Sequence, residues 1–333
     1  MPKVTSSSSD DGVRTLDIPS AAVGDRVQHE FLVLEREERR QATGDPFIVL
    51  TLGNATGRIP TAPVWLNQID WVAGAEKGRV VQVIGEIGAF QRRRQLRLSG
   101  PLRVLPEESV VPEGFLPRIG VATEQLWDWI DRARGDIRSI ALRRAVDCFF
   151  ADDAFREEFE WLPASVAAHH ALVGGLLLHV TEVATVGRSA ARVLKGNADL
   201  VLAGALLHDV GKVRAFGITP TGFTWTAEGR LVGSAALGAL LVGERLAPLV
   251  PNELSAIQLA ELQHLVAVAQ GDWGTGAMTV EAEILQGADR MSVRAADVAE
   301  ALGDDDHFAD GEFSERRPYR VGHRVWRRPH GWE

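Results

Sequence analysis

Residues 198–210 read ADLVLAGALLHDV, a helix-length apolar run whose end carries two polar neighbours, His208 and Asp209. An imidazole beside a carboxylate inside an apolar helix costs several kcal/mol or so unless the two are paired, hydrogen-bonded or bound to a cation. A metal ion is the economical explanation. Asn197 is a suitable cap for the helix start and Asp199 suits its first turn. Gly211 suits a left-handed residue that would end the helix just after the polar pair.

Working outward from this helix, the apolar period separates two halves. After about residue 118 it is helical, with spacings of three and four over Val121–Ala133, Ile137–Phe150, Ala154–Glu160 and Ser165–Ala190. Further helices follow near Leu231–Leu246, Asn252–Ala269 and Thr279–Leu302. A Gly- and Thr-rich excursion, GITPTGFTWTAEG, follows the central helix. Before residue 105 the pattern is that of strands. Val27, His29, Phe31 and Val33 alternate, Phe47–Leu52 is a strand-like run, and the turn cluster GNATG precedes Arg58–Leu66, which Pro60 and Pro63 demote to an edge or bulged strand. Arg79–Ile87 and Gln95–Val104 complete about five short strands, the number of a small antiparallel barrel.

The expected organisation is thus multidomain α+β: residues 1–14 without order, a barrel over 15–104, a Pro- and Glu-rich linker over 105–117, an all-α domain over 118–303, and a tail over 304–333 that is acidic and then basic and aromatic. The 333 residues, 45% of them apolar, suffice for two cores. The only cysteine, Cys148, excludes an intramolecular disulfide and a thiolate zinc cluster, and a reducing cytoplasm fits. No signal-peptide core and no membrane-length apolar run is present, so no membrane partner is expected, while self-association stays open.

A net charge of -9 argues against nucleic-acid binding over the whole surface and restricts it to local basic patches. One is the turn AFQRRRQLRL, where Phe90 is placed to stack a base and Arg92, Arg93 and Arg94 to meet phosphates. Another is the tail, with six Arg and no acid between Arg316 and Trp332. A solvated hairpin tip, and a tail packing its aromatics on the core, are the plain alternatives.

Among the helices, His179 shares a stripe with Leu172, Leu176, Val183 and Val186, and Asp289 shares a face with Leu285 and Val293. Two imidazoles and two carboxylates suit a divalent transition ion. The set H…HD…D resembles that of the HD-domain phosphohydrolases, and HDVGK resembles their HD-x-GK form. LPASVAAHHALVGGLLLHV, TAEGRLVG and LQHLVAVAQG further resemble stretches of the YhaM family of 3′-to-5′ exoribonucleases, which join an OB-fold to an HD domain.

The resemblance implies that His179, His208, Asp209 and Asp289 hold one metal per chain, most simply manganese, and that single-stranded RNA, or DNA, is the partner. Lys212 could bind a phosphate oxygen or be a surface lysine at a helix end. His264 is placed in LQHLV as a proton donor or phosphate ligand, or as an ordinary helix histidine. His169 and His170 match the family's paired histidines. On a continuous helix they lie roughly 14 to 15 Å from His179, too far for the same ion, which leaves them a substrate or structural role. The chain also departs from the pattern, with Ser234 after Gly233 and Ala269-Gln270 before Gly271 where the family has histidines. Three readings therefore stand: an exoribonuclease releasing nucleoside 5′-monophosphates, slowed by the missing histidines; an HD phosphohydrolase of a small nucleotide or phosphate ester; and a catalytically degenerate module binding nucleic acid or protein.

Overall fold

The computed structural model describes residues 16–41, 44–90, 93–219, 222–271, 276–304, 307–308 and 311–331. The expected disorder of residues 1–14, Arg92 and Trp332 lie outside them. Two compact units divide at Arg118 and Ile119, except that Ile218–Gly222 group with the first.

In the first unit β1 (Arg26–Arg40) pairs antiparallel with β2 (Pro46–Asn54), and β2 in turn with β3 (Gly57–Pro60) and the short β4 (Val64–Trp65). The proline-bearing strand is broken at Pro60 and Pro63, where no ladder donor exists. β5 (Val80–Phe90) lies on the other side of β1, followed by β6 (Arg93–Leu98), while β7 (Arg103–Val104) also pairs with β5. A parallel bridge between Thr61 and Leu96 closes the sheet. This order, with the third barrel strand meeting the fifth in parallel, is that of an OB-fold. The long β1 serves both halves of the barrel by shifting register between Val33 and Glu35, a bulge that bends the strand. Phe31, Val33, Leu50, Leu52, Val83 and Leu96 fill the interior and are fully buried.

The Pro-rich stretch expected to be a linker packs on this barrel. Leu105 and Phe115 bury against Leu32 and Val80, and Gly114 accepts a hydrogen bond from the Ala55 amide.

The second unit is helical, with α1 (Thr123–Asp136), α2 (Ile140–Phe150), α3 (Asp153–Trp161), α4 (Gly175–Leu194), α5 (Ala198–Leu207) and α6 (Lys212–Ala215). A hairpin, β8 (Phe216–Thr219) and β9 (Gly222–Trp225), interrupts it before α7 (Ala227–Val232), α8 (Ser234–Leu246), α9 (Ala256–Val268) and α10 (Val280–Gly303). The hairpin is the Gly- and Thr-rich excursion, so the half expected to be all-α contains one β element. Asn197 Oδ1 caps α5 by accepting from the amides of Asp199 and Leu200. All eight residues Leu200–Leu207 are buried, as their apolarity on every side requires.

Two expectations about helix ends are corrected. Gly211 is right-handed, with φ −66°. It is glycine because a Cβ there would run into the backbone of α8. The helix expected from Ser165 begins only at Gly175, behind Gly174 at φ 81°.

The tail docks on the end of α10 through Phe308, Val321 and Val325. Its Arg320 pairs with Asp297, whereas Tyr319 is 99% exposed. Among the described residues no helix is long and apolar enough to cross a membrane.

Candidate metal centre

α4, α5 and α10 pack together and bring His179, the His208-Asp209 turn and Asp289 to one point. His179 Nε2 lies 3.0 Å from Asp289 Oδ1, 3.3 Å from His208 Nε2 and 3.5 Å from Asp209 Oδ2. His208 Nε2 lies 3.3 Å from Asp209 Oδ2. His179, His208 and Asp209 are buried, and Asp289 keeps 14% of its side chain open to a cleft of about 360 Å³ that Lys212, Gln270 and His169 also line.

The outer ring nitrogens set the orientation of both imidazoles. His208 Nδ1 donates to the Ala205 carbonyl at 2.7 Å. Ser292 Oγ, which donates to Glu182 Oε2 at 2.5 Å, lies 2.9 Å from His179 Nδ1. With its proton spent on the carboxylate, Ser292 accepts from Nδ1–H, leaving the lone pair of His179 on Nε2, toward the centre. That lone pair meets a carboxylate oxygen at 3.0 Å, two acceptors in contact, an arrangement suited to a cation.

Charge in the site follows the same logic. Burial pushes the His179 imidazolium down and so keeps the ring neutral. Burial also opposes charge on His208, but Asp209 and Asp289 outweigh it and hold His208 up at about 10. Burial works against the Asp209 and Asp289 carboxylates too, but the charges of His208 and Lys212 beside Asp209, and hydrogen bonds from the two imidazoles beside Asp289, overcome it, so both stay ionised well below the usual range. Two imidazoles and two carboxylates fit a divalent transition ion, and ligand atoms of His179, His208 and Asp289 already lie within 4.8 Å of one another.

Other expected residues fall differently. Lys212 is buried and donates to Asp209 Oδ2 at 2.5 Å and to the Ala164 carbonyl at 2.6 Å, so it is tied to a candidate ligand rather than free on the surface. His264 stands apart from the cleft, its Nε2 accepting from the Met278 amide at 3.1 Å. His169 and His170 are not two helical turns away. The loop before Gly175 folds back and sets their rings 5.3 and 6.2 Å from that of His179. His170 adopts φ 48°, and its Nε2 pairs with Glu182 at 3.1 Å. Gly175 permits this, since a Cβ there would overlap the His170 carbonyl.

Sequence reasoning missed Glu182 and Ser292, although each lies three residues after a candidate ligand, His179 or Asp289, and so on the same helical face. It also missed what the departing residues do. Gln270 Nε2 donates to Asp209 Oδ1 at 2.8 Å, and Ser234 Oγ reaches Gln270 Oε1 at 3.4 Å. If Ser292 orients His179, Ser292→Ala should weaken divalent-ion affinity about 10- to 100-fold, with Ser292→Thr recovering much of it. Calorimetric titration checks this, and unchanged affinity in Ser292→Ala would show that His179 is oriented by other contacts.

The HD-domain family model matches residues 176–294, the segment from α4 to α10 that carries all four candidate ligands. Over nearly its whole length the chain is similar to proteins named 3′-5′ exoribonuclease YhaM. It is 28% identical to that of Oceanobacillus iheyensis, over 88% of this chain and 91% of the relative. It is also 28% identical to that of Bacillus pumilus, over 92% and 94%. The OB domain of a Methanosarcina mazei protein aligns at 16% identity and TM-score 0.25, over 32% of this chain and 95% of that one. Residues 176–294 are an HD domain. With its barrel ahead of that domain, the chain is similar in arrangement and over nearly its whole length to the YhaM proteins.

Proposed function

We propose that the chain is a cytoplasmic, metal-dependent 3′-to-5′ exoribonuclease that hydrolyses single-stranded RNA to nucleoside 5′-monophosphates with one ion per chain, manganese being the natural candidate. The observation that carries this is the convergence of two imidazoles and two carboxylates at a cleft, in a chain similar throughout to YhaM exoribonucleases. A divalent ion held by His179, His208, Asp209 and Asp289 would supply the Lewis acidity that polarises a phosphoryl oxygen and acidifies a water. The protein's own part is to hold that set in register. Ser292 and His208's bond to Ala205 fix the imidazoles, while Gln270 and Lys212 grip the two oxygens of Asp209. The single ion follows from Gln270, whose amide offers Asp209 a donor where a second ion would need an imidazole.

The test is degradation of 3′-labelled and 5′-labelled RNA with and without manganese. Progressive loss from the 3′ end that requires the metal is expected. No cleavage with any divalent ion would leave a binding module.

We assign RNA delivery to the barrel's β5–β6 turn, which joins its fourth and fifth strands, a loop commonly used by OB-folds. Phe90 is 64% exposed there and Arg93 is exposed. Arg94, which sequence placed with them, instead donates to the carbonyls of Ile18, Pro19 and Ala21 at 2.7 to 2.9 Å. Arg93→Ala should therefore lower the salt slope of single-strand binding by about 0.7, the share of one phosphate. Arg94→Ala should chiefly loosen the barrel. Equal slopes for Arg93→Ala and the parent would remove this turn from the binding face.

A further inference from the structure

We infer that the cleft beside the four ligands is a subsite for a single nucleotide, with Trp225 stacking its base and Arg290 meeting its phosphate; this rests on the nuclease reading above. The cleft's volume of about 360 Å³ lies near the lower end of the roughly 300 to 1,000 Å³ common for small-ligand pockets. That suits one nucleotide better than a stacked run of them.

Its aromatic wall is built, not incidental. Phe216 is buried and meets Trp225 edge to face, ring centres 4.7 Å apart and planes at 90°. The hairpin's two ends thereby fix the indole plane while 37% of the residue stays exposed. A held aromatic ring lining a cleft is a platform for any base, because every base offers a π-face. A short path joins the wall to the ligands, since Lys212 Nζ lies 2.5 Å from Asp209 Oδ2 and 6.0 Å from the centre of the Phe216 ring.

The polar side of the cleft asks for an anion. Arg290 follows the ligand Asp289, lines the cleft and is exposed. Among the described residues it has no hydrogen bond or ion pair, and a free guanidinium matches the geometry of a phosphate. His169 lines the same cleft, and its Nε2 is buried without a partner among the described residues. A buried polar atom left unsatisfied points to a ligand or water that completes it.

The experiment compares adenosine 5′-monophosphate with ribose 5-phosphate, which lacks the base, by calorimetry on the full chain loaded with manganese. The parent should bind the nucleotide on the order of tenfold to a hundredfold more tightly, the range for one stacked base. Trp225→Ala should bring the two affinities together without weakening ribose 5-phosphate. Trp225→Phe should keep most of the preference, and Arg290→Ala should weaken both ligands alike. Metal uptake by each variant reports that the domain is folded. If the parent shortens RNA from its 3′ end but Trp225→Ala keeps the full preference for the nucleotide, the subsite assignment is overturned and the nuclease reading stands. If the parent neither shortens RNA nor binds either ligand, both fall.

Discussion

Asp209→Asn and Asp209→Ala proteins should hold no divalent ion under conditions in which the parent retains about one equivalent per chain. Activity should fall at least a hundredfold to a thousandfold or so, the cost of removing one electrostatic stabiliser from an active site. Asp209 is singled out because both its oxygens are committed. Oδ2 faces His208, His179 and Lys212, and Oδ1 accepts from Gln270. Replacement by alanine also leaves the Lys212 ammonium buried without its counter-charge, a loss worth about 3 to 5 kcal/mol for a buried pair. The asparagine variant keeps the shape and a polar side chain, and so separates ligand loss from unfolding. Elemental analysis after metal loading decides. An Asp209→Asn protein that retains its ion would remove this residue from the ligand set. Two equivalents in the parent, both lost on replacement, would mean that Gln270 and Ser234 do not prevent a second site.

What could be read in the sequence, and what could not, follows from the range of the forces involved. Periodicity is local, so the change from strand to helix near residue 105 was legible, as were the capping of α5 by Asn197 and the burial of His208 and Asp209 inside an apolar run. The positions of His169 and His170 were not. The spacing of apolar residues through LPASVAAHHALVGGLLLHV continues a helical stripe, but Gly174 at φ 81° and the close approach of Gly175 to the His170 carbonyl break it. The adjacent pair Gly174-Gly175 was the available signal. Arg94 was misjudged for a different reason. Its three carbonyl acceptors are more than seventy residues away in the chain, and no local pattern separates an arginine that ties a segment down from one that waits for a phosphate. The barrel closure between Thr61 and Leu96 was likewise beyond reach.

Gly211 is the residue whose role changed most between sequence and structure, and Gly211→Ala is the second substitution from which a large effect is expected. The plain reason for a glycine after a helix is a left-handed turn, yet its φ is −66°, a value any residue adopts. The constraint is spatial. A Cβ would lie 2.7 Å from Gly238 Cα and closer still to the Gly238 nitrogen and the Ser234 carbonyl oxygen, all backbone of α8. No side-chain rotation relieves this, so α8 must move away from the turn that holds His208 and Asp209. Overpacking of this kind costs about 3 kcal/mol, the upper part of the usual range. For a domain near 200 residues that corresponds to a fall in Tm of roughly 6 to 12 °C. The same displacement would separate Ser234 from Gln270, 3.4 Å apart, and so loosen the grip on Asp209. Gly287→Ala provides the opposite sign. It lies inside α10 with nothing within 4 Å of its Cβ position, and alanine there should stabilise by up to about 1 kcal/mol. Thermal unfolding of both variants, followed with metal uptake, checks the argument. A Gly211→Ala protein as stable as the parent would mean that α8 yields at little cost, and that the glycine of HDVGK has some other purpose.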